Sequence, residues 1–218
     1  MADVTLTYKG STIAEMNASG SKTLKTAGKY CEGDIGVSYV KPSGGGGGST
    51  DNEDAIISRT ITSYSNSRIT SLGWYAFYGC QNLTSVSLPL VATSGGNAFT
   101  ACANLADVQM PMLTEVSTNM FMSCYALAKI KLPVLQNINQ NGFAYSGSFE
   151  TLILPNTQMC TLSNKNALRL TSIEKGTGYI YVPQSLIEAY KAATNWVTYA
   201  AQFRAIEDYP DICGEVTT

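Results

Sequence analysis

The apolar residues between Ile69 and Asn156 repeat with a period of 22 residues. Within each block, apolar side chains dominate positions 1, 4, 15, 18 and 20, while position 9 is Phe and position 21 is Pro. The blocks are residues 69–90, 91–112, 113–134 and 135–156. A fixed period of this length indicates a repeat architecture in which each unit stacks on its neighbours.

The spacing within one block predicts a single turn of a solenoid. Positions 18 and 20 are two residues apart, which places both side chains on one face of a strand. The Pro that follows has no backbone N–H and ends the strand. We expect the four Phe side chains at position 9 to point into one shared interior, one above another: Phe77, Phe99, Phe121 and Phe143. Neighbouring coils should lie about 4.8 Å apart, which is the distance between strands.

Both flanks of the repeat have their own patterns. Residues 55–68 are rich in β-branched side chains and predict a leading strand that caps the first coil. Residues 157–183 predict a longer, imperfect coil whose strand is residues 180–182. Helical spacing then follows, with Ser185 as the expected N-cap and a face that should close the end of the core. That face consists of Leu186, Ile187, Tyr190 and Ala193.

The residues before the repeat have a different texture. Val4, Leu6 and Tyr8 alternate with polar residues, so residues 1–41 predict a small β module. Residues 42–54 contain five successive glycines and predict a flexible linker. A module of this size buries too little to be stable alone, so we expect it to dock on a larger particle or to oligomerise. The predicted domains are therefore residues 1–41, 42–54, 55–183 and 184–218.

The stretch "ITSLGWYAFYGCQNLTSVSLP" and its later copies resemble the BspA-like (treponemal-type) leucine-rich repeats. The resemblance covers about residues 55–183. It implies a strand-dominated leucine-rich-repeat solenoid, α/β horseshoe-like, with a small N-terminal β module and a C-terminal helical cap. It also implies adhesion or binding as the function. Residues 1–41 and the tail after the repeats look like segments of phage virion proteins. This second resemblance implies a place on the tail, baseplate or head, attached to other virion proteins through residues 1–41.

Composition narrows the classes of function. Charged residues make up 14% of the chain and the formal net charge is −2, which argues against a nucleic-acid partner. Histidine is absent, and with it the commonest metal ligand and neutral-pH acid–base group. No stretch approaches the ~20 apolar residues of a membrane span. The N-terminus has no secretory signal pattern, so we expect synthesis in the host cytoplasm and no membrane span.

Chemistry-bearing residues give no catalytic constellation. Cys80, Cys102 and Cys124 share position 12 with Ser146, a spacing that does not suit a metal site. Stacked thiols could approach disulfide distance, but a slot that also accepts Ser mainly requires a small residue. We interpret the three as buried thiols. The carboxylates are scattered over different repeat positions, so none is paired for glycoside hydrolysis. We therefore expect no enzyme activity, no cofactor and no metal.

Two surfaces are candidates for ligand binding. Positions 17 and 19 should point outward from the strand row, and they vary although the framework repeats. These positions, with their equivalents in the last coil, are Ser85, Ser87, Asp107, Gln109, Lys129, Lys131, Thr151, Ile153, Tyr179 and Tyr181. The second candidate is an aromatic patch of Trp74, Tyr75 and Tyr78 on the first coil, suited to sugar stacking or a protein contact. The plain alternatives are a solvated strand surface for the first and packing against the leading strand for the second.

Taken together, the sequence predicts a non-enzymatic phage virion surface protein. Its solenoid would bind a host-surface glycan or protein, and several copies on one particle, as a homo-oligomer, would make weak contacts multivalent. Two other interpretations stay open: a structural decoration that binds only other virion proteins, and a bacterial cell-surface adhesin.

Overall fold

A computed structural model of the chain describes residues 61–214 and the backbone of two strands before them, Val4–Tyr8 and Ser11–Met16. The predicted linker at residues 42–54, most of the predicted 1–41 module and Cys31 lie outside the described residues. Among the described helices, none is both long enough and apolar enough to cross a membrane.

One row of strands carries repeat positions 17–19, as the alternation of apolar residues predicts. Its members stack in parallel with no slip in register, so equivalent residues of successive coils face each other. These strands are β3 (Ser63–Asn66), β5 (Ser85–Ser87), β7 (Asp107–Gln109), β9 (Lys129–Lys131), β11 (Thr151–Ile153), β13 (Tyr179–Val182) and β14 (Phe203–Ala205). The row divides into two hydrogen-bonded sheets between β7 and β9.

A second row of short strands occupies repeat positions 3 and 4, which the sequence pattern did not predict as strand. These are β4 (Ser71–Leu72), β6 (Thr93–Ser94), β8 (Glu115–Val116), β10 (Asn137–Ile138) and β12 (Thr161–Leu162). The described pairings within this row are also parallel. Turns join it to the first row, so each coil has two strand faces and one turn face.

The interior contains the predicted column of Phe rings. Successive centroids of the four rings lie 4.9, 5.3 and 5.4 Å apart, and the ring planes are within 10° of parallel. All four side chains are buried. Tyr64 meets the first ring edge-on at 5.0 Å, and Phe149 stacks on the last at 4.4 Å. The column prediction is therefore confirmed, and the column is one ring longer at each end than the repeat indicated.

The turn face requires two left-handed residues per coil. One is position 11, which is glycine in the first coil and non-glycine afterwards. The other is position 7, occupied by Tyr75 and then by Asn97, Asn119 and Asn141, with φ between 56° and 61°. Asparagine tolerates this conformation better than most residues. Its side chains also form a ladder: the Asn119 amide donates to Asn97 and the Asn141 amide to Asn119, both at 3.1 Å.

The N-terminal strands extend the first sheet. β1 (Val4–Tyr8) pairs with β2 (Ser11–Met16) and, on its other side, runs antiparallel to β3. This hairpin therefore provides the antiparallel edge beyond the first solenoid strand. Whether the rest of residues 1–41 forms a separate module stays a prediction.

Short helices close the C-terminal end of the core, as predicted. α1 spans Ile187–Ala192 and a 3-10 helix spans Trp196–Gln202. The predicted Ser185 N-cap is wrong, because Ser185 lies inside a 3-10 turn (Gln184–Leu186) and Leu186 precedes α1.

Polar side chains of this cap satisfy the backbone at the edge of the last coil. Trp196 Nε1 donates to the Cys160 carbonyl, and the hydroxyl of Tyr199 donates to the Lys165 carbonyl, each at 2.7 Å. The hydroxyl of Tyr190 accepts from the Cys160 N–H, also at 2.7 Å. The cap thereby covers backbone groups beside β12 that would otherwise be open to solvent.

Candidate binding surfaces

The N-terminal half of the outward strand row is open and polar. Ser85 and Ser87 are half-buried, and Asp107 and Gln109 are exposed. These four side chains project from the sheet formed by β3, β5 and β7, so the predicted outward orientation is confirmed here. Only Asp107 among these side chains carries a charge, and the other three are two serines and a glutamine. This half of the row therefore has little apolar area to bury against a ligand.

The C-terminal half of the same row is covered by the chain itself. Ile153 and Tyr181 were expected to face solvent, and this expectation is wrong: their exposed fractions are 0% and 3%. After β14 the chain turns back across the outer face of β13, β11 and β9 as a 3-10 turn (Ile206–Asp208) and the short helix α2 (Pro210–Cys213). We call residues 206–214 the C-terminal strap.

The remaining residues of the covered half contact the strap or the last strand. Lys129 Nζ donates to the Ile212 carbonyl, and Lys131 Nζ donates to the Cys213 carbonyl at 2.7 Å. Tyr179 is exposed at its rim, with the Arg204 guanidinium 4.2 Å above its ring, while Thr151 is half-buried. Four of the ten predicted residues, on β5 and β7, are therefore open to solvent, and four on β9, β11 and β13 contact the strap. Tyr179 and Thr151 lie at the margin of the covered part.

The aromatic patch is exposed on the turn face of the first coil. The exposed fractions of Trp74, Tyr75 and Tyr78 are 64%, 47% and 48%. The Trp74 and Tyr75 ring centroids are 6.3 Å apart, and those of Tyr75 and Tyr78 are 5.6 Å apart at 70°. The structure thus brings all three predicted residues together in one cluster with solvent-facing rings.

Two glycines of the second coil support the indole of Trp74. A Cβ added at Gly96 would lie 2.7 Å from Trp74 Cζ3, and one added at Gly95 would lie 2.5 Å from the Trp74 backbone nitrogen. The ring and its backbone therefore rest directly on a surface without side chains. Because one side of the indole is held this way, its other side is presented to solvent in a defined orientation.

Backbone hydrogen bonds tie the patch to the second coil. The carbonyls of Gly96, Ala98 and Thr100 accept the N–H groups of residues 75, 77 and 79 of the first coil. The backbone that carries Tyr75 and Tyr78 is therefore held against the next coil.

The cysteine slot has a structural explanation. Cys102 Sγ donates to the Phe77 carbonyl at 2.9 Å, Cys124 Sγ to the Phe99 carbonyl at 3.2 Å, and Ser146 Oγ to the Phe121 carbonyl at 2.8 Å. Burial raises the pKa of the Cys124 thiol to about 12 and also raises that of Cys102. A thiol whose pKa is raised is a poor nucleophile and a poor metal ligand. Among the described residues, no group of three or more His, Cys, Asp or Glu side chains could hold a metal ion.

Similarity to a solved structure supports the fold assignment. The T. pallidum leucine-rich-repeat protein is 27% identical over 62% of this chain and 66% of its own length, with a TM-score of 0.50. Two other structures are more distantly similar. A leucine-rich-repeat protein from Bacteroides ovatus is 20% identical over 67% of this chain and 42% of its own, with a TM-score of 0.48. A leucine-rich cell surface protein from Faecalibacterium prausnitzii is 17% identical over 72% of this chain and 36% of its own, with a TM-score of 0.42.

Curated protein sequences give no match. The repeat pattern of one family matches residues 57–175 in six copies, which is more than half of the chain. That family and the treponemal structure are typical of non-enzymatic binding proteins. The chain belongs to the BspA-type leucine-rich-repeat family.

Proposed function

We propose that this protein is a non-enzymatic adhesin whose aromatic patch binds a glycan on a cell surface. The observation that carries the proposal is the solvent exposure of Trp74, Tyr75 and Tyr78 as one cluster on the first coil. The rings of the Phe column are buried, whereas these three face solvent, so they serve no packing role in the core. Clustered exposed aromatic side chains mark interaction sites.

The chemistry beside the rings favours a sugar. A pyranose has an apolar C–H face that stacks on an aromatic ring, and hydroxyl groups that donate hydrogen bonds. The exposed phenol groups of Tyr75 and Tyr78 can donate hydrogen bonds to such hydroxyls and accept from them. No charged side chain belongs to the patch, which suits a neutral ligand.

The proposed setting is the surface of a phage particle. It rests on the resemblance of residues 1–41 and of the C-terminal tail to segments of virion proteins. Attachment to other virion proteins through residues 1–41 would place several copies on one particle. Multivalent contact then raises the effective concentration, so that weak single sites suffice.

A glycan microarray tests the binding proposal. We expect the full-length protein to bind a subset of neutral glycans, and Trp74→Ala to reduce that signal at least tenfold. Tyr125→Ala is the matched control, because Tyr125 is an exposed aromatic residue of the third coil with an exposed fraction of 56%. If Tyr125→Ala and Trp74→Ala reduce binding equally, or if neither does, the patch is not the glycan site.

A bacterial adhesin of the same family is the second candidate, and the similarity to a T. pallidum protein favours it. Neighbouring genes separate the two: capsid or tail genes beside this one support the virion setting, and their absence contradicts it. If labelled protein binds purified particles but no cells and no glycans, the protein is a decoration instead. Deletion of residues 1–41 would be a poor test, because β1 pairs with β3 and the deletion would also remove this strand from the sheet.

A further inference from the structure

The C-terminal strap forms its own small apolar cluster, separate from the main core. Ile206 and Cys213 of the strap are buried against Ile153 and Tyr181 of the sheet, with Ile212 partly buried beside them. The main core is a different, continuous cluster that extends to Ala205 and excludes these residues. Lifting the strap would therefore uncover a defined apolar patch on β11 and β13 while leaving the main core intact.

Lysine side chains recognise the backbone end of the strap helix. Lys129 and Lys131 donate to the carbonyls of Ile212 and Cys213, the last turn of α2. Carbonyls at a helix C-terminus have no partner within the helix and carry partial negative charge, so cations there are stabilising. The two lysines bind backbone carbonyls and not side chains. They could therefore donate to the last carbonyls of any helical turn that ends at this place.

Strap side chains add a preference for particular residues. Tyr209 meets Tyr181 edge-on with ring centroids 5.4 Å apart, and Ile212 follows three residues later. Tyr209, which immediately precedes α2, and Ile212 within it therefore both lie against the sheet. The site accordingly fits a short helical segment with an aromatic residue, an aliphatic residue three positions later and unoccupied C-terminal carbonyls.

Within residues 61–214, few contacts hold the strap beyond this site. Glu207 accepts the N–H of Gln184 at 3.0 Å, and the chain enters the strap directly from β14. A segment held by so few apolar contacts opens locally at a lower free-energy cost than the whole domain. We infer that the outer face of β9, β11 and β13 is a binding site for a helical peptide segment of another protein, which the C-terminal strap occupies as a tethered ligand. This inference is independent of glycan binding at the aromatic patch.

Peptide binding to the full-length chain tests the inference. The probe is a fluorescein-labelled synthetic peptide with the sequence of residues 205–214, and the readout is fluorescence anisotropy. A variant with Ile206→Ser and Ile212→Ser releases the strap without adding charge. We expect it to bind the peptide at least tenfold more tightly than the wild-type chain, in which the tethered strap competes. Adding Lys129→Ala and Lys131→Ala should abolish the gain, and a peptide with the same two serines should not bind.

Equal binding by the two proteins, or none, would overturn the inference. So would dimerisation of the released variant in light scattering without peptide binding, since a second copy would then be the occupant. If the variant does not fold, amide hydrogen exchange on the wild-type chain tests the inference instead. The amides of Ile212, Cys213 and Gly214 should exchange at least 100-fold faster than those of Thr151 and Leu154. Equal rates would show that the strap opens only when the solenoid unfolds, which contradicts a displaceable ligand.

Discussion

Two groups of aromatic side chains in the same stack of coils are packed in opposite ways. The Phe column is buried, with nearly parallel rings 4.9 to 5.4 Å apart. The patch of Trp74, Tyr75 and Tyr78 is about half exposed, and its rings are tilted or perpendicular to one another. The column occupies a position that every repeat conserves in type, whereas the patch occupies positions that are aromatic only in the first coil. Position within the coil, rather than residue type, decides whether a ring stabilises the fold or is available to a ligand.

The largest effect should come from the middle of the column. Phe121→Ala removes a ring that stacks on Phe99 and on Phe143, so it leaves a cavity between two other rings. We expect a loss of about 3–5 kcal/mol in the free energy of unfolding, measured by urea denaturation. Tyr125→Ala in the same coil is the surface control and should cost far less. A loss below about 1 kcal/mol for Phe121→Ala would mean that the column is not the packed core.

Alkaline pH should destabilise the interior through the buried thiols. The pKa of the Cys124 thiol is about 12 in the folded chain because of burial, against about 8.5 for an exposed cysteine. Above pH 8.5 the unfolded chain therefore releases a proton that the folded chain keeps. The contribution of this thiol is fully present below that pH and falls by about 1.4 kcal/mol per pH unit as the pH rises toward 12.

Urea denaturation at pH 8.5 and pH 10 measures this loss. Cys124→Ser should make the pH dependence shallower by about 2 kcal/mol over the interval, since serine does not titrate there. Serine suits the slot, because Ser146 already makes the equivalent hydrogen bond. An unchanged pH dependence in Cys124→Ser would indicate that other groups account for the alkaline destabilisation.

A smaller effect is expected where the turn face meets solvent. Asn119 has φ of 58° and both donates to and accepts from its neighbours in the asparagine ladder. Asn119→Ala should cost about 1–2 kcal/mol, because alanine disfavours the left-handed conformation and makes no ladder contacts. Asn119→Gly also removes the ladder contacts, but glycine adopts the left-handed conformation without strain. Thermal denaturation should therefore show Asn119→Gly to be the more stable of the two variants. Equal stability of the two variants would assign the cost to the ladder contacts, which both variants lose.

The smallest change in stability should come from the patch. Trp74→Ala removes a side chain that is 64% exposed, so we expect the free energy of unfolding to change by less than about 0.5 kcal/mol. Gly96→Ala should tilt the indole away from its support and weaken glycan binding although the ring itself is retained. Chemical denaturation and the glycan microarray measure the two quantities on the same proteins. A large loss of stability in Trp74→Ala would make the patch part of the fold rather than a binding surface.

Much of the coil could be predicted from sequence because its determinants are local. Positions 18 and 20 place the strands correctly, the Phe at position 9 identifies the column, and Pro at position 21 marks where each strand ends. The asparagine ladder was missed although Asn97, Asn119 and Asn141 share position 7. The signal was present, but the left-handed turn that carries these asparagines has no apolar periodicity to reveal it.

Repetition within 22 residues therefore determines the coil, its interior and the outward direction of positions 17 and 19, since each depends on the alternation of neighbouring side chains. Which outward residues stay exposed is decided by contacts between distant parts of the chain. Lys129 and Lys131 meet carbonyls more than 80 residues later, and Ile153 and Tyr181 are buried by the same segment. No local pattern encodes such a contact, because a short segment with few apolar residues finds its place only on a surface that the folded solenoid has already built.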